Sequence, residues 1–196
     1  MKTTNSLPAD YHLAWSADIE KDKWLMVLLQ VIAIPWSLVV LVGLGVLVYW
    51  LRPDWVYISS VIDFSIWQAL SLLPVMVFAI LLHEMVHGLF FWLLARQMPK
   101  FGFSLFYAYA ALPGWYFDKS VYWLIGLSPL IVLSLVGTFF LLVVPEGWLI
   151  FLLFGLFTNA SGAIGDVYIV TRLAFEPRNT LIEDTGTGFR VFRRSN

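Results

Sequence analysis

The chain has no cysteine at all, which excludes disulfides and thiolate metal ligands, so any metal bound here must be held by imidazole, carboxylate or water. Charge is scarce as well. Only 13% of the 196 residues are charged, with 12 Lys and Arg against 13 Asp and Glu, a net charge of −1. The basic residues are dispersed at the ends of apolar segments and not gathered on a soluble face, so no nucleic-acid partner is implied. Residues 1–23 carry no cleavable-signal pattern, and the apolar run that follows is too long for a signal-peptide core.

What the chain has instead is apolar length. Hydrophobic residues make up 60% of it and aromatic residues 17%, beyond the range of a soluble domain. Trp24 to Trp50 is free of charge and would be about 40 Å long as a helix, more than the hydrocarbon layer requires. Further runs lie at about 64–95, 121–144 and 148–171. The expectation is an all-α polytopic membrane protein, one membrane-embedded domain of four transmembrane helices in contact with the lipid bilayer. Pro35, Pro74 and Pro129 fall inside the first three spans, where they bend or tilt helices, and Pro145-Glu146-Gly147 makes a tight turn into the fourth. The segment at about 101–117 is different. Phe101, Phe103, Leu105, Tyr107 and Tyr109 alternate with smaller residues, which argues for a strand over 101–111, and Pro113-Gly114 reads as a turn after it. An aromatic loop at the membrane interface accounts for the same pattern.

Four spans put both termini and residues 96–120 on one side of the membrane. Every one of the 12 Lys and Arg except Arg52 then lies on that side, and the positive-inside rule makes it the cytoplasm, with 172–196 a cytoplasmic tail.

The chemistry is carried by His83-Glu84-Met85-Val86-His87 inside the second span. Residues four apart share a helix face, so both imidazoles can reach one metal ion with Glu84 beside them. Two neutral imidazoles suit Zn²⁺, which also takes a third protein ligand and leaves a position for water, while a nearby carboxylate accepts that water's proton. With three histidines in the chain, a chance H-E-x-x-H is rare, and ionisable groups at membrane depth are costly. The fourth span adds Asn159 and Asp166. His83, Glu84, His87 and Asp166 are the ionisable residues left at depth, and one divalent cation would satisfy them together. His87 and Asp166 also lie at similar depth, roughly 9–14 Å from the helix ends marked by Arg96 and Arg172. Asp166 could instead pair with Arg172, and Asn159 could serve as a hydrogen bond between helices. Asp63, Asp118, Glu183 and Asp184 are weaker ligand candidates, because connectors and tails leave carboxylates in water.

His83-Glu84-Met85-Val86-His87 in one span, followed by Asn159 and Asp166 in a later one, resembles the site-2 protease type of intramembrane zinc metallopeptidase. The chain is more similar still, over Phe101–Lys119, Thr158–Val170 and Ile182–Phe189, to a small bacterial and archaeal family described as putative zincin peptidases. The resemblance implies His83, His87 and Asp166 as zinc ligands, Glu84 as catalytic base, Asn159 as a substrate-binding residue, a membrane-protein or peptide substrate, and a prokaryotic plasma membrane. It departs from the site-2 protease pattern in that Gly165 precedes Asp166 where a glycine usually follows, and in having no PDZ-like insertion. The same cluster also fits a non-catalytic membrane protein that binds metal for structure or metal handling.

Overall fold

The computed structural model describes residues 3–18, 20–56, 65–103 and 108–195. Four helices are long and apolar enough to cross a membrane, and a small amount of sheet accompanies them. The helices are α1 (Lys23–Leu51), a short α2 (Pro53–Val56), α3 (Ile66–Ala95), α4 (Lys119–Leu141), α5 (Glu146–Gly162) and α6 (Ile164–Ala174). The strands are β1 (Thr3–Thr4), β2 (Tyr11–Asp18), β3 (Lys100–Phe103), β4 (Ala108–Ala111), β5 (Tyr116–Asp118), β6 (Thr180–Asp184) and β7 (Gly188–Arg194).

The chain divides into two compact units, with boundaries that fall inside α1, α3 and α4 and at the start of α6. The first comprises Ile32–His83 and Pro129–Ile164 and is purely helical among the described residues. Its buried centre is Leu141, Leu149 and Leu156, flanked by Leu44, Leu47 and Leu51. Gly137 has no side chain because Leu156 occupies the space a Cβ would need, and this lets α4 and α5 approach closely. Large apolar side chains face outward, as with Val39 and Val42 at 65% exposed and Leu135 at 67%. In water such a surface would be an aggregation hazard, whereas in lipid it is the surface expected. Arg52, the isolated cation on its side of the spans, is used locally. It donates to the carbonyls of Leu141 (3.0 Å) and Val144 (2.9 Å), which the end of α4 leaves without helical partners.

The second unit comprises Met1–Val31, Glu84–Ser128 and Gly165–Asn196. Here the sequence expectation needs correction, because an all-α protein with one interfacial strand or hairpin omits a five-stranded antiparallel sheet of order β1-β5-β6-β7-β2. The polar ends are strands: β2 pairs with β7 from Tyr11↔Arg194 to Asp18↔Gly188. The inner face of the sheet closes over α3, α4 and α6 through Phe91, Phe117, Val121, Ile125, Leu173, Ile182, Phe189 and Val191, and the Phe91 and Phe117 rings stand 5.4 Å apart. Burial of this cluster is what holds the polar ends of the chain in place.

The 101–111 strand is also revised. Lys100–Phe103 pairs antiparallel with Ala108–Ala111 as a hairpin, and residues 104–107 lie outside the described residues. The alternation belongs to two short strands. After it, Trp115 N donates to Leu112 O (3.2 Å) and Gly114 takes φ +81°, the i+2 position of a type II turn that Pro113 initiates. The chain then joins the larger sheet as β5. Finally, the fourth span, Glu146–Ala174, is broken at one residue. Ala163 interrupts it, so Asn159 ends up on α5 and Asp166 in the first turn of α6.

Candidate metal centre

Helix α3 is continuous through the H-E-x-x-H, and His83 (8% exposed), Glu84 (9%) and His87 (7%) are all buried. His83, His87 and Asp166 each bring one ligand atom to within 4.8 Å of the others. His87 Nε2 stands 3.3 Å from Asp166 Oδ1, close to the roughly 3.4 Å edge of a tetrahedron whose bonds are about 2.0–2.1 Å long. The donor set is two imidazoles and a carboxylate, which suits zinc. Arg172, the alternative partner of Asp166, lies with its guanidinium 5.0 Å from the centre of the Trp15 ring.

The other ring nitrogens are engaged as well. His83 Nδ1 donates to Asn159 Oδ1 (2.9 Å), and His87 Nδ1 donates to Ile125 O (3.1 Å). Since an amide oxygen and a carbonyl can only accept, each Nδ1 carries its ring's proton and each Nε2 is left with the lone pair a metal needs. Asn159 is 4% exposed, and the bond it makes is to a ligand imidazole.

The β3–β4 hairpin reaches this region through a glycine. A Cβ at Gly88 would stand 2.9 Å from Phe101 Cε1 and 3.2 Å from Pro99 Cγ, so the absence of a side chain next to His87 lets the hairpin rest on α3.

Tyr122 escaped the sequence reading, and Asp184 was ranked there among the weaker ligand candidates. Tyr122, on α4, donates its hydroxyl to Asp184 Oδ2 (2.7 Å), and Gly186 N donates to Asp184 Oδ1 (2.9 Å). Asp184 was expected to sit in water with the tail. Instead β6 carries it inward, and burial pushes its carboxyl up to about 6 against the pull of the Tyr122 and Gly186 donors. Its neighbour Glu183 is structural, accepting from Gly114 N (3.0 Å) at the type II turn and paired with Arg190. Asp63 lies outside the described residues.

The raised Asp184 value has a definite sign. The folded chain binds the proton more tightly than the unfolded one, for which 3.8 applies, so its stability is undiminished below about pH 4 and falls as the pH rises toward 6. In metal-free protein, Asp184→Asn keeps an acceptor for Tyr122, gives up the one for Gly186 N at every pH, and removes the pH-dependent loss, which is at most about 3 kcal/mol. Thermal midpoints of both proteins in detergent between pH 4 and 7 should therefore differ in slope, wild type falling relative to the variant as pH rises toward 6. Parallel curves would mean that Asp184 titrates normally.

No curated protein and no solved structure matches the chain. A family model described as "Putative zincin peptidase" matches residues 76–181, a stretch that begins on α3 ahead of His83 and runs past Asp166 into β6. That stretch is more than half of the 196 residues, and the chain therefore belongs to this zincin peptidase family.

Proposed function

We propose that the protein is an intramembrane or membrane-interface zinc metalloendopeptidase of the site-2 protease kind, acting on peptide bonds of membrane-associated substrates, with both termini in the cytoplasm of a prokaryotic cell. The observation that supports this most is the convergence of His83, His87 and Asp166 within 4.8 Å, beside a buried glutamate on the same helix. Zinc held by these three residues would supply a Lewis acid and lower the pKa of water toward neutrality. Glu84 takes the proton from the attacking water as the oxygen–carbon bond forms, and returns it to the amine as the carbon–nitrogen bond breaks. The low exposure of all three H-E-x-x-H groups keeps bulk water from competing with this transfer.

A helical substrate hides its carbonyls in its own hydrogen bonds and must be unwound before any bond is reachable. The edge of the β3–β4 hairpin, seated at Gly88 beside His87, is suited to pair with such an extended segment. Asn159, adjacent to His83, has an amide nitrogen that can hold a substrate carbonyl.

The test is zinc content together with cleavage. Purified wild type should carry about one zinc per chain and cut an apolar membrane peptide in proteoliposomes, and His83→Ala should lose both. A zinc-replete wild type that cuts none of a library of membrane peptides would instead favour a structural or metal-handling site.

A further inference from the structure

Proline inside a helix leaves the carbonyl four residues earlier without its partner. In α4 the proline is Pro129 and the carbonyl is that of Ile125. It is this oxygen that accepts from His87 Nδ1 (3.1 Å), with a second bond from Ser128 Oγ (2.7 Å). Pro129's own carbonyl accepts from Asn159 Nδ2 (3.4 Å), and Asn159 Oδ1 in turn accepts from His83 Nδ1 (2.9 Å). Because the Pro129 oxygen can only accept, the amide nitrogen must face it, which turns the amide oxygen toward His83.

We propose that the Pro129 turn of α4 is the positioning element of the metal centre, orienting His87 through the carbonyl it releases and His83 through Asn159. The inference rests on the reading of His83 and His87 as metal ligands. In lipid a freed carbonyl has no water to turn to, so internal donors must satisfy it, and here they are the Ser128 hydroxyl and a ligand imidazole, one on each lone pair. The missing N–H at 129 thus fixes the tautomer of the His87 ring, while the carbonyl of the same residue holds the Asn159 amide that faces His83. A residue with an N–H at 129 would restore the helical bond to Ile125 and compete with His87 for its oxygen. Proline here costs α4 a hydrogen bond, and the histidines gain a fixed orientation.

The experiment compares Pro129→Ala with Pro74→Ala, the same exchange in α3. Zinc affinity is read by competition with a chelator, coordination by the visible spectrum of the Co²⁺-substituted protein, and folding by the thermal midpoint of the metal-free form. Pro129→Ala should bind zinc about 10–100-fold more weakly and show an altered Co²⁺ spectrum, with a midpoint equal to or above wild type. Pro74→Ala should match wild type in affinity and spectrum. A proline that only shapes the helix would change the midpoint and leave metal binding alone, and wild-type affinity and spectrum in Pro129→Ala overturn the proposal. Should Pro129→Ala fail to fold, Asn159 decides: Asn159→Leu should lose affinity to a similar degree, and Asn159→Asp, which keeps an acceptor for His83 but can no longer donate to the Pro129 carbonyl, should recover only part of it, so that wild-type affinity and Co²⁺ spectrum in Asn159→Asp overturn the proposal. Equal affinity in Asn159→Leu and wild type also overturns the proposal. A wild type that takes up no zinc defeats the metal reading itself, and this proposal with it; tight wild-type binding beside an unaffected Pro129→Ala defeats this proposal alone.

Discussion

Glu84→Gln should hold zinc as wild type does and lose cleavage by about 10²–10⁴-fold, the usual contribution of a positioned general base. The amide has nearly the volume of the carboxylate, so the buried site at 9% exposure is not opened, and the imidazoles on either side keep their Nδ1 partners Asn159 and Ile125. What changes is the ability to accept a proton. The measurement pairs zinc per chain with the initial cleavage rate of a membrane peptide. Reduced zinc in the variant would make Glu84 a ligand and the site a closed, structural one; full zinc with an undiminished rate would remove Glu84 from the chemistry.

Asp166→Ala should lose metal nearly as severely as His87→Ala. Loss of a partner behind a ligand typically weakens binding about 10–100-fold, so removal of the ligand itself should exceed about 100-fold. The fold gives an independent control on the cause. Asp166 lies in the first turn of α6 and its Oδ1 stands 3.3 Å from His87 Nε2, so its removal costs the metal-free protein that contact as well as about 0.3–1 kcal/mol through the helix dipole, and the metal-free variant should melt below wild type yet remain folded. Metal loss from a variant that still folds cooperatively without metal identifies a ligand. Full zinc affinity in Asp166→Ala would send the search for a third ligand elsewhere, first to Asp184, the carboxylate that the sequence had left in the tail.

The spans were legible because lipid imposes a rule on every residue within them, and α1, α3 and α4 begin and end within about three residues of the charge-free runs. His83, Glu84 and His87 were legible because helical spacing alone brings them together. Asp166 was reached by elimination, as an acid that membrane depth would not otherwise tolerate, and the fold sets its Oδ1 3.3 Å from His87 Nε2. The sheet escaped because its pairing is non-local: nothing near Tyr11 announces Arg194. A local signal existed at β6 and β7, where two runs rich in β-branched and aromatic residues flank Thr185-Gly186-Thr187, but the polar composition of the tail outweighed it. Asp184 was misjudged for the same reason, since the burial of a tail residue depends on what the tail folds against. Pro129 was visible and was read as a bend. That a proline's missing N–H frees an acceptor is a sequence fact; that His87 uses it is a tertiary one.

The pairing of β2 with β7 also sets an order of events in the making of the protein. Asp10 and Arg194, joined by an ion pair at 2.6 Å, are separated by 184 positions, and β2 finds its partner only after all four spans and α6 have left the ribosome. Until then Trp15 lacks both the Phe189 ring at 5.2 Å and the Glu176 carboxylate to which its indole donates, and Tyr122 lacks Asp184. Synthesis at about 5–20 residues per second makes this a wait of roughly ten seconds or more. A nascent chain that stalls before β6 presents Phe91, Val121 and Ile125 without the Ile182, Phe189 and Val191 side chains that complete their buried cluster, and Tyr122 without its acceptor.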